Sequence, residues 1–138
     1  MTRPTTPLGF AVLALTLAAC AGGDDGGAGA GGADDGFAAT VAPLFEAACN
    51  CHQTTPLKAP FSLKGDEAYD NIVNVPASEL PTMNLVTPGK PEDSYLWHKI
   101  DGTQVDVGGS GSRMPLNSPL HDDEKAIVER WILAGAPP

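Results

Sequence analysis

The chain has 138 residues, a formal net charge of −9 and 18% charged residues, a length that accommodates one domain plus its ends. Such acidity excludes the basic face that nucleic acid or an anionic membrane surface requires, and favours basic protein partners over acidic ones. Three cysteines, Cys20, Cys49 and Cys51, are an odd number in two places and build no disulfide framework.

Residues 1–19 carry the pattern of an export signal. Arg3 supplies a positive charge, and Leu8 to Ala19 is an apolar run of the length of a signal h-region, too short for a comfortable membrane-spanning helix. It ends in Leu17-Ala18-Ala19-Cys20, which resembles the bacterial lipobox and so implies that Cys20 becomes the lipidated first residue. Acyl chains there anchor a protein without its spanning the bilayer, each buried methylene contributing about 0.8 kcal/mol. Because Ala21 rather than Asp follows the cysteine, the resemblance implies the outer membrane, facing the periplasm. Residues 20–36 hold no large apolar side chain, and their Gly- and Asp-rich composition predicts a flexible linker.

The folded domain is predicted over 37–138. Phe37, Val41, Leu44, Phe45 and Ala48 recur at helical spacing, giving a first helix over about 37–48; Pro43 inside it costs a hydrogen bond and moves the expected start toward Val41. Ala68, Tyr69, Ile72 and Val73 suggest a short second helix over 66–73. Pro76, Pro81, Pro88 and Pro91 break the next stretch of chain into loops. Pro91-Glu92-Asp93 opens a third helix, 91–100, with Tyr95, Leu96 and Ile100 as its apolar face. Residues 101–120 read as a long loop. The last helix opens at the acids 122–124, is lined by Ile127, Val128, Trp131, Ile132 and Ala134, and stops at Gly135 and Pro137. The fold class is therefore all-α, four short helices with long loops. So thin a core predicts that something else fills it.

Cys49-Asn50-Cys51-His52 carries the chemistry. Covalent haem attachment reads C-x-x-C-H, with both thiols adding to the porphyrin vinyls and the His binding iron from the adjoining position. Here one spacer residue is missing, and Ala48 stands where the strict frame has its first Cys. Cys51-His52 keeps the thioether and the axial nitrogen side by side. Two modes stay open: one thioether through Cys51, or two with the backbone bent to bring Cys49 to the other vinyl. A disulfide within so short a pair suits the required geometry poorly.

A haem that transfers electrons needs a second axial ligand, and a thioether raises the potential relative to a second His. Met114, in Gly109-Ser-Gly-Ser-Arg-Met-Pro115, is the candidate, with Met83 beside another Pro-containing loop as the rival. Arg113 is a candidate partner for a haem propionate, since guanidinium and carboxylate geometries match. His98 reads as a surface side chain, His121 as part of a helix cap, and Asp122-Asp123-Glu124 as a dipole-matched first turn.

Taken together, Val41-Ala-Pro-Leu-Phe45, the Cys-His pair, Pro88-Gly-Lys-Pro-Glu-Asp-Ser-Tyr-Leu96, Arg113-Met-Pro115 and Ile127 to Ala136 with Trp131 resemble bacterial cytochrome c-like domains of exported proteins. The resemblance covers almost all of 37–138. It implies a mostly helical fold around one haem c, first and last helices crossed near Trp131, His52 proximal and Met114 distal. It further implies an electron carrier rather than an enzyme, serving redox partners in the cell envelope. The shortened cysteine spacing departs from the family and leaves the double thioether open. Two other readings belong to different classes: a soft Cu(I) site made of Cys49, Cys51, His52 and a Met, and a small haem peroxidase-like enzyme, whose open distal position a Met114 ligand would close.

Overall fold

Helix α1 (Phe37–Ala48) starts at the first large apolar residue after the glycine-rich segment and buries Phe37, Val41 and Phe45. The expected shift of its start toward Val41 does not occur. Thr40 donates from both its amide (3.1 Å) and its hydroxyl (2.9 Å) to the Gly36 carbonyl, closing the first turn ahead of Pro43. Pro43 and Ala39, whose carbonyl loses its amide partner to the proline, are both exposed, so water can take the place of the missing bond. The structure, a computed structural model, describes residues 36–53, 61–65 and 67–138. The predicted signal 1–19, the lipidated Cys20, the linker up to residue 35, and Asp66 at the predicted start of the second helix lie outside the described residues.

Helix α2 (Glu67–Ile72) buries Ala68 and Ile72. The proline-punctuated stretch after it is pinned by isolated bridges, Val73 to Val86 and Asn84 to Ser94 in parallel and Pro76 to Asn84 antiparallel. The single helix predicted over 91–100 is split into a 3-10 turn (Pro91–Asp93) and α3 (Tyr95–Asp101). Ser94 is the cause. It is fully buried, its hydroxyl donates to the Lys90 carbonyl at 2.7 Å and accepts the Thr87 amide at 2.9 Å, and such side-chain bonds compete with a continuous helical backbone. Helix α4 (Asp122–Leu133) opens where the acids predicted, with the Glu124 carboxylate accepting the His121 amide at 2.8 Å. The described residues thus form four α-helices and no strand, an all-α domain.

Helices α1 and α4 pack on each other through an aromatic cluster. Phe37 lies 5.3 Å from Trp131 and 5.6 Å from Tyr69, centroid to centroid. The C-terminal tail staples the cluster: Trp131 Nε1 donates to the Pro137 carbonyl at 2.8 Å, the Phe37 amide to the same oxygen at 3.1 Å, and the Tyr69 hydroxyl to the Ala136 carbonyl at 3.0 Å. Replacing Trp131 by Ala removes the largest side chain at this junction and is expected to cost about 3–5 kcal/mol, read as a lowered urea midpoint at unchanged slope. A loss below about 1 kcal/mol would contradict this account of the core.

Candidate cofactor site

The end of α1 delivers the cysteine–histidine sequence to one place. The Cys49 amide bonds to the Phe45 carbonyl at 2.8 Å, and the chain tightens at once into a 3-10 turn, Asn50–His52, with the His52 amide on the Cys49 carbonyl at 2.9 Å. Gln53 Nε2 reaches back to the Phe45 carbonyl at 2.7 Å, and the Leu63 amide takes the His52 carbonyl at 3.1 Å. Locked between these bonds, Cys49, Cys51 and His52 all line a cavity of about 470 Å³, inside the range of roughly 300–1,000 Å³ usual for cofactor and small-molecule sites. Phe61, Leu63 and Leu96 add apolar wall; Met114, Pro115 and Leu116 enter from the long loop; Tyr95, Lys99 and Glu79 form a polar corner.

The chemistry of the donors follows from burial. The His52 ring is partly buried and lies 5.4 Å from the Phe61 ring. Burial first, and then the nearby Lys99 charge, lower its pKa below the ordinary histidine value, so the imidazole is held neutral, the form that binds a metal. Its Nδ1 is buried without a hydrogen-bond partner among the described residues, which leaves Nε2 as the ring nitrogen able to meet a ligand. The thiol of Cys49 is pushed up to about 11, by burial and then by the proximity of Cys51. Both cysteines are free, Cys51 exposed and Cys49 half-buried.

Of the two candidate distal methionines, the fold brings only Met114 to His52's cavity. The Met114 amide donates to the Lys99 carbonyl at 2.8 Å, fastening the loop to α3. Met83 instead lines a separate polar pocket of about 260 Å³ with Thr82, Asn84, Thr87 and Asp93. Arg113 does not line the cavity. Its Nε donates to the Ile100 carbonyl at 3.1 Å, and its aliphatic stem packs against Gly102, so it secures the turn after α3 and the neighbouring Met114. His98 is spent on structure, Nδ1 on the Thr103 hydroxyl at 2.8 Å and Nε2 on the Glu92 carbonyl at 2.9 Å.

Sequence reading missed Lys99, Tyr95 and Glu79. The signal was present in α3, where a lysine shares the apolar positions 95, 96, 99 and 100. Among the described residues no group of three or more His, Cys, Asp or Glu side chains is arranged to hold a metal ion. Cys49, Cys51 and His52 therefore share a cavity without converging on one point.

In the polypeptide with both thiols free, iodoacetamide at pH 8 is expected to label Cys51 first. At pH 8 a thiol with a pKa of about 11 is only about one part in a thousand thiolate, the reactive form, and labelling of Cys49 should climb about tenfold per pH unit up to that value. Peptide mapping by mass spectrometry reads both sites; equal rates at pH 8 would contradict the burial of Cys49. No protein-family model matches this chain, and neither the curated proteins nor the solved structures contain a significant match to it.

Proposed function

We propose that this chain is an exported, lipid-anchored electron carrier, a small cytochrome c-like domain holding one covalent haem c with His52 and Met114 as axial ligands. One observation carries the reading: a single, largely apolar cavity is lined at once by Cys49, Cys51 and His52 from the end of α1 and by Met114 from the loop after α3. A macrocycle supplies most of the ligands to its iron itself, so the chain would need to contribute only His52, Met114 and the attaching thiols. A bare Cu(I) ion needs soft ligands gathered on one point, and Cys49, Cys51 and His52 do not form such a group.

The residues divide the work accordingly. His52, neutral and with Nδ1 buried, would hold the iron through Nε2. Met114, tethered through its amide to α3, offers a thioether that raises the potential. Phe61, Leu63 and Leu96 exclude water and lower the local dielectric, which further tunes the couple. Bound there, haem supplies the one-electron iron couple. With His52 and Met114 both spent on holding the iron, the haem would serve electron transfer rather than catalysis.

The geometry suits a tethered carrier. The chain enters the domain at Gly36, at the opposite end of the twelve-residue α1 from Cys49, a separation of about 18 Å at about 1.5 Å per residue. An anchor at Cys20 would hold the domain from the end remote from its redox group. The acidic chain favours partners with basic contact surfaces.

The test uses the full chain made in cells with a haem-attachment system. The purified protein is expected to be red and low-spin, and Met114→Ala to turn it high-spin and lower the midpoint potential by on the order of 0.1 V. Met83→Ala is expected to change neither. A colourless protein would sink the haem reading and direct the same cluster to Cu(I) titration, while a potential that follows Met83 rather than Met114 would overturn the ligand assignment.

A further inference from the structure

The polar corner of the cavity already holds a carboxylate. Glu79 Oε2 lies 2.8 Å from Lys99 Nζ and accepts the Tyr95 hydroxyl at 3.0 Å. Both donors stand on α3 and are buried, Lys99 8% and Tyr95 2% exposed. The loop after α3 braces them: Lys99 Nζ also reaches the Ser110 carbonyl at 3.2 Å, and the Ser110 amide donates to the Tyr95 hydroxyl at 3.1 Å. Two glycines permit the close wrap. A Cβ at Gly109 would collide with the Tyr95 ring, and one at Gly111, where φ is +74°, would lie 2.8 Å from Glu79 Oε1 and 3.0 Å from Lys99 Nζ. Glu79, by contrast, comes from an exposed stretch of loop and keeps its side chain 40% exposed. The donors are fixed by the fold; the acceptor is the replaceable member.

A buried ammonium requires an anionic partner, and Lys99 is the one Lys or Arg among the described residues lining the cavity. A ligand that enters this apolar space with carboxylates of its own meets Lys99 and Tyr95 as its charged and neutral donors. Arg113, the candidate from sequence, has its Nε committed to Ile100 and lies outside the lining. We propose that Lys99 and Tyr95 form the subsite for a haem propionate, and that Glu79 competes with the propionate for the same two donors. This rests on the haem reading above. Haem carries its propionates on the edge away from its vinyls, so a carboxylate subsite on α3, an element separate from the thiols, also orients the vinyls for attachment. Glu79 then sets how tightly the subsite is available to an incoming carboxylate.

The test is a fluorescence titration of the full chain, produced without a haem-attachment system, with iron-free protoporphyrin IX and with its dimethyl ester, which lacks the carboxylates. The wild-type chain is expected to bind the free acid about tenfold more tightly than the ester, the scale of a charge-assisted hydrogen bond out of water. Lys99→Met should bring that ratio close to one, Tyr95→Phe should lower it, and Glu79→Gln should raise it several-fold with the ester unaffected. Should Lys99→Met fail to fold by circular dichroism, the opposite movements of Tyr95→Phe and Glu79→Gln decide the matter. Equal binding of acid and ester by the wild-type chain, or a ratio that Glu79→Gln and Tyr95→Phe leave unmoved, overturns the subsite while leaving the haem reading intact. Binding of neither porphyrin also overturns the subsite, while the haem reading is decided by whether the chain matured with a haem-attachment system is red or colourless.

Discussion

The packing of α1 against α4 fixes everything else in this domain. Phe37, Tyr69 and Trp131 interlock at one end of α1, and the C-terminal tail ties that end down through the Pro137 and Ala136 carbonyls. With its start held, α1 runs its length and stops where the 3-10 turn begins, and the position of Cys49, Cys51 and His52 follows from the helix rather than from any contact made by the cysteines themselves. The aromatic cluster and the chemical cluster are therefore the two ends of one rod. A change that loosens the first displaces the second without touching it.

The other wall of the cavity depends on α3 in the same way. Ser94 ends the 3-10 turn before it and sets its start, and α3 then presents Tyr95, Leu96 and Lys99 to the cavity while Ile100 and Lys99 receive Arg113 and Met114 on their carbonyls. Those two backbone carbonyls place the methionine. A long Gly-, Ser- and Pro-rich loop would otherwise be a poor element on which to hold a side chain in one place.

Much of this was legible in the sequence where local rules and packing agree. The apolar spacing of α1 and α4, the acids opening α4 and the Cys-x-Cys-His run are each read from neighbours in the chain, and the structure gives the two helices the expected form. The misreadings have physical causes. Ser94 broke a predicted helix because its hydroxyl is buried against Lys90 and Thr87, partners a periodicity argument does not see. Pro43 did not delay α1, since its cost falls on an exposed carbonyl. Lys99 was overlooked because a lysine on an apolar face is ordinarily a long side chain reaching for water, and its partner Glu79 lies twenty residues away in the chain.

The fold gives Met83 and Met114 different cavities, and of the two only Met114 shares one with His52. We propose more than the fold alone requires, namely that a haem is held at the end of α1 by a covalent bond to its thiols, with the His52 imidazole on the iron. The most direct measurement is a reduced pyridine haemochrome spectrum, taken after full denaturation, of the chain matured in cells with a haem-attachment system, alongside Cys51→Ser and Cys49→Ser. One haem per chain that survives denaturation, lost in Cys51→Ser, is the expected result, with the band position counting the vinyls that remain. Haem that extracts freely into acidified solvent, or full attachment in Cys51→Ser, would contradict it.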